Sequence, residues 1–595
     1  MNEKALYTLE FDKIREILAS LTATEGAKEL ALHLKPSSDI EKVRKMQQKT
    51  TDAKQLVGLK GQPSFGEIRD IRAAVERAEK DAVLSLRELL DCAAVFRTAR
   101  TLLDYVKGER TPETSLGVIF ERLQPNRHLE EKITRSIIAD DFVADEASPE
   151  LGEIRRKKRA TDNKIKDILQ KYVSGSSKYL QENIVTTRGG RFVIPVKAEY
   201  RNEVKGLIHD TSQSGATIFV EPMAVVEANN QLRELEAKEE HEIERILRDL
   251  SAGIAVSADA LVLDYLNITE LAFIFTCADL SYKMNAAPPH VSDRKIIELY
   301  RARHPLLDKA KVVPITITLG KDYNMVVITG PNTGGKTVTL KTLGLFALMT
   351  QAGLHIPADD TSTLGVFDEV FSDIGDEQSI EQSLSTFSSH MKGIVKIMEQ
   401  MTENSLVLFD ELGAGTDPVE GAALAMSILE ETRENNTLCA ATTHYAELKA
   451  YAIETDGVVN ASCEFDVNTL RPTYRLIIGT PGKSNAFAIS EKLGLSPVIV
   501  KRAGQFVDTG SRNFEAVIEK LEATRHELEQ EKAKAEASRR EFEEYRRKTE
   551  AELEKMKAIV ADCGPFENIY VTRAGCTISC HCGPETLGVL FMTKA

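Results

Sequence analysis

The segment from Val326 to Thr337 constrains the fold of this chain more than any other stretch. It reads V-V-I-T-G-P-N-T-G-G-K-T and fits G-x-x-x-x-G-K-[ST], in which glycines let backbone N–H groups surround phosphate oxygens. The apolar run Met325 to Ile328 predicts a buried strand, and Val338 to Met349 predicts a helix whose N-terminus faces the anion. Lys336 is expected to reach the β- and γ-phosphates and Thr337 a magnesium ion. The flanking strand and helix make a chance glycine-rich turn the weaker interpretation.

Two carboxylates end a second predicted strand, Ser405 to Phe409. In such a Walker B arrangement, Asp410 can hold Mg²⁺ through water and Glu411 can polarise the attacking water. A third apolar run, Thr437 to Ala441, leads into T-T-H and would bring His444 near the γ-phosphate. Each feature alone is weak evidence for a nucleotide site. A strand that ends in Asp-Glu is not specific, and a histidine at a strand end is usually a surface residue.

A Ser/Thr-rich loop, Gln382 to Met391, lies between these motifs and opens an amphipathic helix, which alone would indicate an ordinary helix cap. The four motifs in this order are specific. The stretches T-G-P-N-T-G-G-K-T, L-S-T-F-S-S-H-M, L-F-D-E-L-G-A-G-T-D-P and T-T-H-Y-A-E-L resemble the ATPase of the MutS family, a relative of the ABC ATPases. The closest match is the bacterial type-two MutS, the paralogue without the mismatch-reading domain.

The resemblance implies ATP and Mg²⁺ as cofactors, and a homodimer in which two subunits share each nucleotide. It implies catalytic roles for Glu411, His444 and Lys336, and magnesium binding by Thr337 and Asp410. The implied nucleotide-binding residues are Gly330, Pro331, Asn332, Thr333, Gly334, Gly335, Lys336, Thr337 and, from the other subunit, Ser385. We identify no aromatic residue that would stack on adenine.

Basic residues are clustered within an otherwise acidic chain. The net charge of −15 therefore does not exclude a nucleic-acid partner. A helix with a basic face is predicted from Pro149 to Val173, a hairpin around Gly189-Gly190, two more strands from Gly206 to Pro222, and one returning helix from Asn229 to Leu271. In the family this region is a clamp at the tip of lever helices. Its expected backbone-binding residues are Arg188, Arg191, Lys197, Arg201 and Lys205.

Composition and length place the chain among multidomain cytoplasmic proteins. We expect no membrane partner, because no apolar run reaches membrane-spanning length and the start has no signal-peptide pattern. Four scattered cysteines are expected to be buried, reduced thiols: Cys92, Cys277, Cys439 and Cys463.

The predicted fold class is multidomain α plus α/β. It comprises a helical core and long lever helices with a small β-containing clamp, followed by an ABC-like P-loop ATPase and a long charged helix. The predicted segments are a helical core (1–148), a lever helix (149–180), the clamp (181–225), returning lever and core helices (226–290), the MutS-type ATPase (291–508), a charged coiled-coil-like helix (509–561) and a Cys-rich tail (562–595).

The C-terminal part departs from the family pattern. A 4-3 spacing from Phe514 to Val560 indicates a coiled coil with partly charged core positions, and a single solvated helix fits nearly as well. We expect neither the β-barrel nor the Smr nuclease domain of type-two MutS, which makes endonuclease activity doubtful. The tail resembles the end of a DegV-type lipid-binding protein. A fused or misassembled reading frame would explain this abrupt change in the sequence. The spacing of Cys576, Cys580, His581 and Cys582 does not match a standard zinc site.

The sequence therefore predicts an ATP-hydrolysing homodimeric clamp that binds nucleic acid without reading mismatches. Its target is either branched or double-stranded DNA, in suppression of homologous recombination, or the rRNA of collided ribosomes, in ribosome rescue. A non-catalytic nucleic-acid-binding scaffold, whose ATP site only sets dimer geometry, is the alternative from another class.

Overall fold

The computed structural model describes residues 2–108, 112–175, 177–331, 334–375, 386–466, 469, 471–482, 486–506 and 509–562. The chain divides into two compact units, with the boundary after Arg502. Several predicted site residues lie outside the described residues: Asn332, Thr333, Ser385, Cys576, Cys580, His581 and Cys582.

The N-terminal part of the first unit is helical. Its helices are α1 (Glu3–Thr8), α2 (Phe11–Ser20), α3 (Glu25–Leu32), α4 (Ile40–Lys60), α5 (Arg72–Glu79), α6 (Leu86–Val106), α7 (Gly117–Glu121) and α8 (Arg127–Ser136). A short hairpin of β1 (Ile137–Ala139) and β2 (Phe142–Val143) follows. Side-chain caps fix two helix starts. Asp39 accepts hydrogen bonds from the first backbone N–H groups of α4, and Ser85 and Glu88 form a capping box at α6.

Two long helices, α9 (Pro149–Gly175) and α10 (Met223–Val256), pack along each other. The chain between them forms an antiparallel sheet of β3 (Thr186–Arg188), β4 (Arg191–Lys197), β5 (Gly206–Thr211) and β6 (Thr217–Pro222), in the order β3-β4-β6-β5. The predicted hairpin is confirmed, because Arg188 pairs with Arg191 across two glycines of positive φ. The basic face of α9 is partly neutralised, since Arg155 Nε donates to Glu239 of α10 at 2.7 Å.

The prediction of one continuous returning helix is wrong. Helix α10 ends at Val256, and α11 (Ala258–Met284) begins two residues later. Ser257 leaves the helical conformation with φ −102° and ψ 12°, and its hydroxyl accepts a hydrogen bond from Asn126 at 3.3 Å. The apolar pattern continues across this break because both helices bury apolar side chains in the same core.

Helix α11 also corrects the expectation that no apolar run reaches membrane-spanning length. By length and composition it could cross a bilayer, but 67% of its most apolar window is buried inside the protein. It packs against α3, α4, α5 and α6, as the central helix of a protein core does.

The remaining strands of the first unit form two sheets within the described residues. The smaller contains β7 (His290–Ser292), β8 (Ile297–Ala302), β9 (Ile315–Leu319) and β11 (Thr363–Gly365), in the order β7-β11-β8-β9. The larger contains β10 (Met325–Thr329), β12 (Val370–Asp373), β13 (Leu406–Phe409), β14 (Leu438–Thr442), β15 (Val458–Asp466) and β16 (Arg471–Ile478), in the order β12-β13-β14-β10-β15-β16. All neighbours in it are parallel except β15 and β16. Every residue of β10 is buried, as expected for a parallel strand covered on both faces.

Four helices follow within the described residues of this part of the chain: α12 (Lys336–Gln351), α13 (Thr386–Gln400), α14 (Pro418–Glu434) and α15 (Ala446–Glu454). Helices α1 and α2 share the core of this sheet, although they belong to the segment predicted as the helical core. A β-carbon at Gly344 of α12 would lie 2.6 Å from a methyl group of Leu9, so a larger residue here would force the leucine side chains to shift.

Helices α16 (Ala486–Lys492), α17 (Pro497–Phe506) and α18 (Thr509–Asp562) complete the described chain. Two predicted apolar core positions of the coiled coil, Leu528 and Phe542, are 64% and 67% exposed in the single chain. This exposure is compatible with both sequence interpretations, because a zipper would bury them only against a second helix. The four predicted free thiols are confirmed, since Cys92, Cys277, Cys439 and Cys463 are all buried and unbridged.

Candidate nucleotide-binding site

The glycine-rich turn lies between the central strand β10 and the N-terminus of α12. Gly330 and Gly335 have φ values of +123° and +95°, which side chains with a β-carbon rarely adopt. A β-carbon at Gly330 or Gly334 would also lie 3.0 Å from Cys463 of the neighbouring strand β15. Glycine is therefore needed both for the backbone conformation and for the space, and the first turn of α12 presents its N–H groups at the end of the sheet.

Lys336 is folded back into this turn. Its ammonium group donates to the carbonyl oxygen of Gly330 at 2.8 Å and contacts His444 Nε2 at 3.0 Å. Burial lowers the pKa of Lys336 to about 8, because an ammonium group loses solvation inside the protein. An anion placed against this group would stabilise its charged form further.

The Walker B carboxylate Asp410 joins three motifs that are far apart in the sequence. Thr337 Oγ1 donates to Asp410 Oδ2 at 2.8 Å, and Thr442 Oγ1 donates to Asp410 Oδ1 at 2.5 Å. The donor set at this point consists of hydroxyl and carboxylate oxygens, which are the ligands that a hard cation such as Mg²⁺ prefers. Thr337 and Asp410 therefore fit the predicted magnesium site.

Glu411 follows Asp410 with a backbone φ of +48°, an uncommon conformation for a residue other than glycine. The Thr442 hydroxyl accepts a hydrogen bond from the Glu411 N–H at 2.8 Å and helps to hold this conformation. The Glu411 carboxylate lies 3.2 Å from His444 Nε2. The structure thus brings Lys336, His444 and Glu411 together at one end of the sheet.

A further ion pair holds the helix that follows the Ser/Thr-rich loop. His390 of α13 lies 2.7 Å from the carboxylate of Asp373, at the end of β12, and this hydrogen bond raises the pKa of His390. The Asp410 N–H in turn donates to the Asp373 carbonyl at 2.9 Å. Helix α13, which begins one residue after Ser385, is therefore attached to the Walker B strand of its own chain.

Tyr474, which no sequence pattern marks as a site residue, lies beside the glycine-rich turn. A β-carbon at Gly335 would lie 3.3 Å from a ring carbon of Tyr474, and the tyrosine is 48% exposed with a φ of +58°. No spacing in the sequence connects this residue with the turn, because β16 reaches the site only through its antiparallel pairing with β15.

The expected backbone-binding arginines are only partly available. Arg191 is 16% exposed and donates to Glu221 at 2.8 Å, and this fully buried carboxylate also contacts Asn229 and His209. A buried carboxylate must be paired, so Arg191 is engaged with Glu221 in this structure, and its role in a binding surface stays a prediction. Arg188 is 40% exposed, lies 3.3 Å from Asp210 and stacks on Phe219.

The other three residues of the expected binding surface, Lys197, Arg201 and Lys205, differ from Arg188 and Arg191 in having no ion-pair partner among the described residues. Arg201 and Lys205 are exposed and Lys197 is half-buried.

This geometry defines a P-loop nucleotide-binding protein: a parallel sheet, a glycine-rich turn leading into a helix, and a carboxylate pair at the end of a nearby strand. Residues 326–509 match the family described as MutS domain V. A protein named endonuclease MutS2 from Acetivibrio thermocellus is 52% identical over 539 residues, covering 90% of this chain and 68% of the relative. The MutS2 endonuclease of Lachnoclostridium phytofermentans is 50% identical over 543 residues, with the same two shares. The chain therefore belongs to the MutS2 family, a paralogue of MutS.

Proposed function

We propose that this chain is an ATP-hydrolysing, homodimeric clamp that binds nucleic acid without reading mismatches. The observation that carries the proposal is the convergence of Lys336, His444 and Glu411 beside the Thr337–Asp410 pair. These are the groups that phosphoryl transfer needs: a cation for the phosphates, oxygen ligands for a metal and a carboxylate for water. The name endonuclease describes the relatives and is not part of this proposal. The proposed compartment is the cytoplasm.

Each residue has a separate role in the proposed hydrolysis. Glu411 orients and polarises the attacking water, while Lys336 and His444 stabilise the charge on the phosphoryl oxygens. Lys336 exchanges its present contact with the Gly330 carbonyl for a phosphate oxygen. Thr337 and Asp410 would hold Mg²⁺, which supplies positive charge at the phosphates. Ser385 of the second subunit completes the site.

Two nucleic-acid targets are compatible with the family resemblance. If the target is DNA, branched or double-stranded, the function would be suppression of recombination. If the target is the rRNA of the ribosome, the function would be rescue of collided ribosomes. The alternative is a scaffold whose ATP site only sets dimer geometry. Stimulation of ATP turnover by DNA or by ribosomes supports the clamp, and the preferred stimulant identifies the target. If neither DNA nor ribosomes raise the rate of ATP turnover above its basal value, the scaffold is favoured.

Duplex binding is expected to depend on salt and to be indifferent to a single mismatch. Each phosphate contact adds about 0.9 to the slope of log affinity against log salt. Replacing both Arg201 and Lys205 by alanine should therefore reduce this slope by about 2 and weaken G·T and matched duplexes equally. Fluorescence anisotropy with a salt titration measures both quantities.

Lys28→Ala provides the matched control, because Lys28 is an exposed lysine on α3, remote in sequence from the proposed surface. It should leave the slope unchanged. A clear preference of the parent protein for the G·T duplex would contradict the proposed loss of mismatch reading.

We further propose that Tyr474 stacks on the base of the bound nucleotide. Its partly exposed ring beside Gly335 supports this role, because an aromatic face near the phosphate turn can cover a purine. Tyr474→Ala is expected to weaken ATP binding by about 1 to 3 kcal/mol, roughly 5- to 150-fold, whereas Tyr474→Phe keeps most of the affinity. Equilibrium binding of ATP to the three proteins measures this difference.

Tripolyphosphate is the control ligand because it has no base. Its affinity should be the same for Tyr474→Ala and the parent protein. If tripolyphosphate and ATP lose the same binding affinity, the substitution distorts the glycine-rich turn, and the proposed stacking of Tyr474 on the base is rejected.

A further inference from the structure

A second cleft, separate from the nucleotide turn, lies between helix α1, strand β12 and helix α13. It has a volume of about 430 Å³, within the range of small-molecule sites. Phe371 and Ile397 form apolar parts of its lining. None of the described residues that line it is acidic.

Three lysines give this cleft its charge. Lys392 and Lys396 lie one turn apart on α13 and are exposed, and neither is in an ion pair within the described residues. Lys4 of α1 is 3.9 Å from Asp373, but that carboxylate already has His390 as a closer partner. Like charges one turn apart on a helix repel each other, and an anion between them removes that repulsion.

Two further features shape the wall of the cleft. Ser372 is buried in β12, and its hydroxyl has no hydrogen-bond partner among the described residues. A β-carbon at Gly393 would lie 2.7 Å from Asp373 Oδ1 and 3.4 Å from Lys4 Nζ, so glycine allows α1 and β12 to approach α13.

We propose that this cleft binds a small phosphate-bearing ligand. The ammonium groups of Lys4, Lys392 and Lys396 would bind the phosphate oxygens, which accept several charged hydrogen bonds at once. The apolar part of the ligand would lie against Phe371 and Ile397. A cleft of about 430 Å³ suits a small molecule better than an extended acidic peptide. This site is independent of the proposed hydrolysis, because it uses none of its residues.

Isothermal titration calorimetry with pyrophosphate tests the proposal on the full chain carrying Lys336→Ala, which weakens the nucleotide turn. Pyrophosphate should bind this protein, and adding Lys392→Glu should weaken binding at least about tenfold. Lys42→Glu, a charge reversal at an exposed lysine of α4, should change nothing.

Lys392→Gln is a milder variant that removes the charge without reversing it, and it should also weaken binding several-fold. Circular dichroism of each variant shows that it is folded. The proposal is overturned if Lys336→Ala protein does not bind pyrophosphate, or if Lys42→Glu weakens binding as much as Lys392→Glu. If pyrophosphate does not bind but single-stranded oligonucleotide does, and Lys392→Glu weakens that binding, the lysines belong to a nucleic-acid surface instead and the proposal is overturned.

Discussion

Glu411→Gln is expected to slow ATP hydrolysis by about 10² to 10⁴ while leaving ATP binding intact, which is the usual effect of losing a positioned general base. The amide has the size of the carboxylate and can keep a hydrogen bond to His444, but it cannot accept the proton of the attacking water. ATP-bound protein should therefore accumulate as a closed dimer. Single-turnover hydrolysis, equilibrium ATP binding and light scattering measure the three effects separately.

Glu420→Gln is the matched control, because Glu420 is an exposed carboxylate on the following helix α14. It should hydrolyse ATP at the parent rate. Lys336→Ala should behave differently from both and weaken ATP binding itself, since it removes the phosphate cation. Unchanged turnover in Glu411→Gln would exclude Glu411 as the residue that activates water.

Mixing two inactive variants is expected to restore hydrolysis if two subunits share each site, as proposed. Lys336→Ala disables a subunit's own glycine-rich turn, whereas Ser385→Arg adds a bulky cation at the residue proposed to face the neighbour's γ-phosphate. A heterodimer of the two has one site with both parts intact. An equal mixture with random pairing should recover roughly a quarter of the parent turnover, while each variant alone stays inactive.

The mixing experiment needs proof that heterodimers form, for which two different affinity tags and sequential purification suffice. Ser385→Arg alone should bind ATP in each monomer and fail to close in an ATP-dependent way. A second control is a mixture of Lys336→Ala with Glu411→Gln. Both changes lie in the same half of the site, so no site in that heterodimer is complete and turnover should stay absent. If purified heterodimers of the first pair are as inactive as their parents, the shared site must be abandoned.

Local patterns in the sequence were sufficient to predict the parts of the candidate site. Strand ends, glycines that need positive φ and carboxylates after apolar runs are properties of a few consecutive residues. The strand before Gly330, the helix after Lys336 and the hairpin at Gly189-Gly190 follow from such patterns and are present. The break at Ser257 escaped prediction, because the apolar pattern on its two sides continues without interruption.

Only the tertiary structure decided which of these parts meet. The strand order β12-β13-β14-β10-β15-β16 sets Asp410 and His444 beside Lys336, and pairing between distant strands leaves no signal in local spacing. The same pairing brings Tyr474 to Gly335, and packing of α1 on β12 and α13 forms the lysine-lined cleft. The sequence predicts Arg191 as one of five basic residues of a backbone-binding surface, but folding places the buried carboxylate of Glu221 beside it. An unpaired buried carboxylate is far more costly than a surface arginine withdrawn from solvent.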